Sequence, residues 1–164
     1  MNIMSRVCIL LALVFLVSGG SLSAQDFSVA ELMKLRTSSL SNFEDVVMGK
    51  GYELHNIDRE YDHYVTFKKG HSTISYGYQK SAHYNDVDTV VIYITDKEAE
   101  YNVLKSGMKE DPKHPNKTHF FKNETHILHV PTGDGLVVHF FTKYNERPVY
   151  EVQVTTEDAD WYGQ

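Results

Sequence analysis

The sequence predicts an α+β fold in which two tandem helix-plus-antiparallel-sheet units pack into one domain. Three observations predict it. Helix signals precede a run of strand signals twice; the most strand-like stretch, TVVIYIT at 89–95, is followed sixty positions later by VYEVQVT at 149–155; and that offset is even. Alternate residues of a strand share a face, so an even offset superposes core faces and an odd one does not. Val90, Ile92 and Ile94 then correspond to Tyr150, Val152 and Val154. The opposite faces carry Val91, Tyr93 and Thr95 in the first unit and Glu151, Gln153 and Thr155 in the second.

Residues 1–24 stand apart from that pattern. A short head with Arg6 precedes the apolar run VCILLALVFLV (7–17), and SGGSLSA leads to the polar Gln25. Charged head, short apolar core and small residues before a cleavage point form a secretory signal peptide. Eleven apolar residues are too few to span a bilayer, which takes about 20. Cleavage after Ala24 leaves a single domain of 25–164, with the first unit at about 41–96 and the second at about 97–156. About 140 residues suffice to bury one core. The only cysteine, Cys8, lies in the leader. Its position and its neighbours Arg6 and Val7 do not suit lipid attachment. The mature chain therefore has no disulfide, thiolate ligand or cysteine nucleophile, which points to the bacterial periplasm or secretion.

The elements follow in order. Ser28-Val-Ala-Glu31 and Ser41-Asn-Phe-Glu44 have the S-x-x-E form of a capping box. In that motif, serine and glutamate side chains reciprocally satisfy free backbone N–H groups. The first opens a helix carrying Val29, Leu32, Met33 and Leu35; the second carries Phe43, Val46 and Val47 and ends at Gly49 and Gly51. Strand signals follow at Tyr52–His55, Tyr61–Phe67, Ser72–Tyr78 and Thr89–Thr95, with Lys69-Gly70 and 81–88 as turns. A third helix starts at about Lys97 and carries Tyr101, Val103 and Leu104. Past Pro112 and Pro115, strands resume at Thr118–Phe121, Thr125–Val130, Leu136–Thr142 and Val149–Thr155.

This order of elements, with the size and the leader, resembles a group of small exported bacterial proteins that includes the β-lactamase inhibitory protein. The resemblance covers most of the mature chain but rests on no residue motif, and that inhibitor uses disulfides that this chain lacks. It implies a sheet face or loop edge that binds another protein, and it transfers no functional residue.

No G-x-S-x-G, H-E-x-x-H, P-loop or G-x-G-x-x-G is present. Removing Arg6 takes the net charge from -6 to -7, and no Lys/Arg stripe interrupts it. Nucleic acid is therefore not the expected partner. The nine histidines suggest metal. A three-residue turn at 133–135 would set His129 opposite His139, close enough to share an ion. A site needs further ligands that the sequence does not name, so no metal or cofactor is expected. Acids sit where solvated ones belong, Glu98 and Glu100 in a first helical turn among them, and none stands out as a buried general acid or base.

The tyrosines are more informative. Tyr64 and Tyr93, with Val91 beside them, form the expected binding patch, because tyrosine joins apolar area to a hydroxyl. The expected function is a non-enzymatic periplasmic or secreted protein-binding module, in the form of an inhibitor or toxin-immunity protein. Its partner is another protein, with neither nucleic acid nor membrane engaged after leader removal. The alternative is a small-molecule or carbohydrate-binding domain, or a weak hydrolase with its site in the sheet concavity. Intact mass of the exported product should place its first residue at Gln25; a retained apolar segment would mean a membrane-anchored protein instead.

Overall fold

The computed structural model describes residues 25–58, 64–80, 87–108, 117–120, 126–132, 136–144 and 148–156. Among these residues three helices, α1 (Val29–Arg36), α2 (Leu40–Gly49) and α3 (Glu98–Ser106), lie on one side of a single sheet. Its strands are β1 (Glu53–Ile57), β2 (Val65–Lys69), β3 (Ser72–Lys80), β4 (Val87–Thr95), β5 (Lys117–Phe120), β6 (His126–Pro131), β7 (Leu136–Tyr144) and β8 (Pro148–Thr156).

The helix ends follow local chemistry. Ser28 makes the expected capping box: its hydroxyl accepts from the Glu31 N–H, and Glu31 Oε2 accepts from the Ser28 N–H at 2.8 Å. Burial alone would push the Glu31 carboxyl up. The Ser28 N–H and the Lys50 ammonium outweigh it and hold that carboxyl below its usual range. The second helix starts two residues earlier than Ser41 predicts. Ser39 is its N-cap and accepts from the Asn42 N–H, a cap that also brings Leu40 against the core. At its end Gly51, at φ 83°, closes a Schellman turn in which Gly51 N–H donates to Met48 O and Tyr52 N–H to Val47 O. Only glycine takes that φ without strain.

Every predicted strand is present within a few residues, but the architecture differs. The sheet is continuous, antiparallel and eight-stranded, in the order β1-β2-β3-β4-β8-β7-β6-β5. This corrects the expectation of two tandem helix-plus-sheet units. The last strand of each half pairs with the other at the centre, and α1 and α3 each pack on both β4 and β8. One core cluster then draws on both halves, from Phe27 and Phe43 to Val138, Phe140 and Val154. Neither half has a core of its own.

The register also corrects the phase. Val91 pairs with Val154, Tyr93 with Val152 and Thr95 with Tyr150, all on the helix side. Ile92 and Ile94 pair with Gln153 and Glu151 on the other side. The even offset had joined opposite faces. Its premise failed because β4 is apolar on both faces, with Val90 as fully buried as Val91. Alternation cannot orient such a strand.

Aromatic pairs fasten the helical layer to the sheet. Phe27, just before α1, has its ring 5.5 Å from Tyr52 and 5.4 Å from Tyr93. Phe43 of α2 lies 5.1 Å from Tyr76 and 6.0 Å from Phe67. Tyr101 of α3 lies 5.0 Å from Tyr150 and 5.9 Å from Phe140. Ring pairs at these separations add to the area they bury. Phe27 is fully buried, so Phe27→Ala should cost about 3–5 kcal/mol of stability. Denaturant unfolding of the mature chain measures this, and a cost below about 1 kcal/mol would mean that the segment before α1 is dispensable.

Candidate partner-binding edge

The three residues expected to form a binding patch are not brought together. Val91 and Tyr93 face the helices and have no exposed surface. Tyr64 lies on the opposite side, half-buried, with its ring over Gly77 of β3. A Cβ at position 77 would run into that ring, so glycine makes room for the tyrosine. Burial raises the Tyr93 hydroxyl above its ordinary range, with Glu100 adding to the shift. That hydroxyl makes no hydrogen bond of acceptable geometry, although Ser72, Tyr52 and Glu100 are close.

The side of the sheet away from the helices carries Glu151, Gln153 and Thr155, polar residues that a solvated face would suit. All three are buried, as are His139 and Phe141, whose rings stack 6.0 Å apart at 29°. Gln153 Nε2 donates to Glu151 Oε1. Gln153 Oε1 and Thr155 Oγ1 are buried without hydrogen-bond partners. Glu100 is a further departure: it is buried at 7% exposure, not a solvated acid of a first turn. No local signal marks either acid, because each is buried by strands or helices distant in sequence.

The pairing expected for the histidines holds: His129 stands opposite His139 in the β6–β7 register. The His129 side chain, like residues 133–135, lies outside the described residues. Among the described residues, no group of three His, Cys, Asp or Glu side chains could hold a metal ion. Likewise among them, no helix is long and apolar enough to cross a membrane.

The described surface feature that stands out is β1. It ends the strand order, so among the described residues one of its edges has no strand partner, and all five of its side chains are exposed. Its register with β2 shifts between Leu54 and Asn56, placing His55 in a β-bulge. Leu54 then pairs with Phe67 and Ile57 with Val65, two residues of the helix-side face. Three positions apart on a regular strand they would point to opposite sides; the bulge turns both the same way. Leu54 is 56% exposed and Ile57 45%. Glu53, Leu54, His55, Lys68 and Gly70 line a solvent-open recess of about 260 Å³ beside them. The sequence placed Leu54 inside the predicted strand Tyr52–His55 and Ile57 beyond its end, and nothing local marked the bulge that aligns them.

Compared with known protein families, curated proteins and solved structures, the chain matches none. Residue roles therefore rest on the geometry alone. For Tyr93 the geometry gives a direct expectation. Tyr93→Ala should cost about 3–5 kcal/mol, whereas Tyr93→Phe, which removes a buried hydroxyl without a partner, should be neutral or stabilising. Urea unfolding of both variants tests this; a Phe variant as unstable as the Ala variant would show that the hydroxyl is engaged.

Proposed function

We propose that this protein is an exported, non-enzymatic module that binds another protein along the β1 edge, in the manner of an inhibitor or an immunity protein. The observation that carries this reading is the bulged edge strand with Leu54 and Ile57 exposed on one side. An unpaired edge offers backbone donors and acceptors to an incoming strand, and two aligned apolar side chains supply specificity beside them. Bulges and charges commonly shield an edge from pairing. Here the bulge instead aligns two apolar side chains, and Glu53 and His55 are the only titratable groups of the strand. The small-ligand alternative would use the helix-free side, yet Glu151, Gln153 and Thr155 are buried there and offer no open surface.

A photo-crosslinking residue at position 54 or 57, in cells that export the protein, should give a discrete adduct. The same residue at Val103, which is 53% exposed on α3, should not. Leu54→Asp and Ile57→Asp should each weaken the complex by about 2 kcal/mol or more. Each should leave stability within about 0.5 kcal/mol, because exposed side chains contribute little to the fold. Identical adducts from 54, 57 and 103, or tight binding by both Asp variants, would remove β1 from the interface.

A further inference from the structure

The residue at the expected cleavage point adjoins a polar clasp. Every polar group of Asp26 is engaged. Its Oδ1 accepts from Lys69 Nζ at 2.7 Å, its Oδ2 from the Tyr52 hydroxyl at 3.1 Å, and its carbonyl from Lys50 Nζ at 2.7 Å. Its N–H donates to Glu100 Oε1 at 3.1 Å. The other Glu100 oxygen accepts from the Thr95 hydroxyl at 3.1 Å. Thr95 Oγ1 in turn accepts from Ser72 Oγ and the Lys97 N–H. The clasp thus joins the segment before α1 to β2, β3, β4 and α3.

Its charges are unevenly matched. The Asp26 carboxylate has Lys69 at 2.7 Å, and Lys50 also meets Glu31 at 3.0 Å. The buried Glu100 carboxylate has, among the described residues, only Lys97, whose ammonium stands 4.0 Å away on a side chain 55% exposed. Buried carboxylates are ordinarily paired more closely. Gln25, half-buried, directly precedes the Asp26 N–H that Glu100 accepts. Three covalent bonds separate the two backbone nitrogens, so the Gln25 nitrogen lies within about 4 Å of that N–H.

We infer that leader removal after Ala24 converts the Gln25 nitrogen from a neutral amide into an ammonium that pairs with Glu100 and completes the clasp. The precursor and its product then differ in stability as well as in length. This rests on the exported reading. The charged and hydroxyl groups gathered in the clasp are Glu100 and Lys97 at α3, Asp26, Lys50 and Glu31 at the α1 and α2 ends, Lys69 on β2, and the Tyr52 and Tyr93 hydroxyls. Lys50 and Lys69 are held at 3.0 and 2.7 Å by Glu31 and Asp26, whereas Glu100 has its ammonium only at 4.0 Å, so the amine's charged form is favoured beside Glu100.

The sign of the pH dependence follows. An α-amine ordinarily titrates at about 7.7–8.0. Paired with Glu100 its folded value rises, so the added stability is full below pH ~7.7 and is lost as pH climbs through the raised value. The test uses the mature chain purified after export of the full precursor and, beside it, a precursor altered to leave two extra residues before Gln25. Intact mass first establishes the terminus, so failure of the export reading is seen separately from failure of the clasp. Titration of the α-amine by NMR should give a value above the ordinary one. The shift should be lost in Glu100→Gln, which keeps an acceptor for the Asp26 N–H, and kept in Lys97→Ala. The extended chain should melt lower at pH 6–7 and equal the mature chain at pH 10. An unshifted amine, a shift unchanged in Glu100→Gln, or a terminus cyclised with loss of ammonia that melts as high as the free amine would each overturn the inference.

Discussion

The ladder between β4 and β8 is the constraint on which the rest of this structure depends. Every other pairing in the sheet joins strands adjacent in sequence; this one joins strands about sixty residues apart. Hairpins close cheaply, whereas a distant pairing must overcome the larger loop entropy before its contacts form. Val91, Tyr93 and Thr95 against Val154, Val152 and Tyr150 supply that compensation through a buried, mostly apolar face. The helices then pack across the seam: α1 and α3 each touch both strands. Remove the seam and two four-strand meanders remain without a complete core.

Polar chemistry gathers where that seam meets its neighbours. Glu100 and Asp26 fix the segment before α1 at one end. At the other, the Arg36 guanidinium donates to Thr89 O and stands 3.7 Å from Asp88, whose second oxygen accepts from the Thr156 hydroxyl. Both ends therefore tie α1 or its lead-in to β4. On the helix-free side Gln153 Oε1 and Thr155 Oγ1 stay unpaired in the centre of the sheet. A buried polar group without a partner costs about 1–3 kcal/mol, so that row weakens the fold it sits in. Val90, Val137 and Phe141, buried on the same side, offset that cost.

The edge and the centre divide the labour differently from what tyrosine content implied. Tyr52, Tyr76, Tyr93, Tyr101 and Tyr150 are all core residues that dock the helical layer, and Tyr64 fills the space left by Gly77. The aromatic surplus is spent on packing. Leu54 and Ile57, two of the exposed large apolar side chains, lie instead at the rim, where a bulge has aligned them.

Much of the fold was legible locally. Eight strands, the Ser28 capping box, the Gly51 terminator and the Lys69-Gly70 turn all follow from propensity, capping and φ preferences that act within a few residues. Even the His129–His139 pairing follows from one turn length. Tertiary structure alone decided the strand order, which face of β4 meets the helices, the burial of Glu100 and Glu151, and the exposure of Leu54 and Ile57. The physical reason is the same in each case. An apolar residue on both faces of β4 satisfies either orientation, and a carboxylate in a first helical turn suits solvent or a clasp equally well. Only the long-range β4–β8 pairing, with the helices laid over it, selects between them.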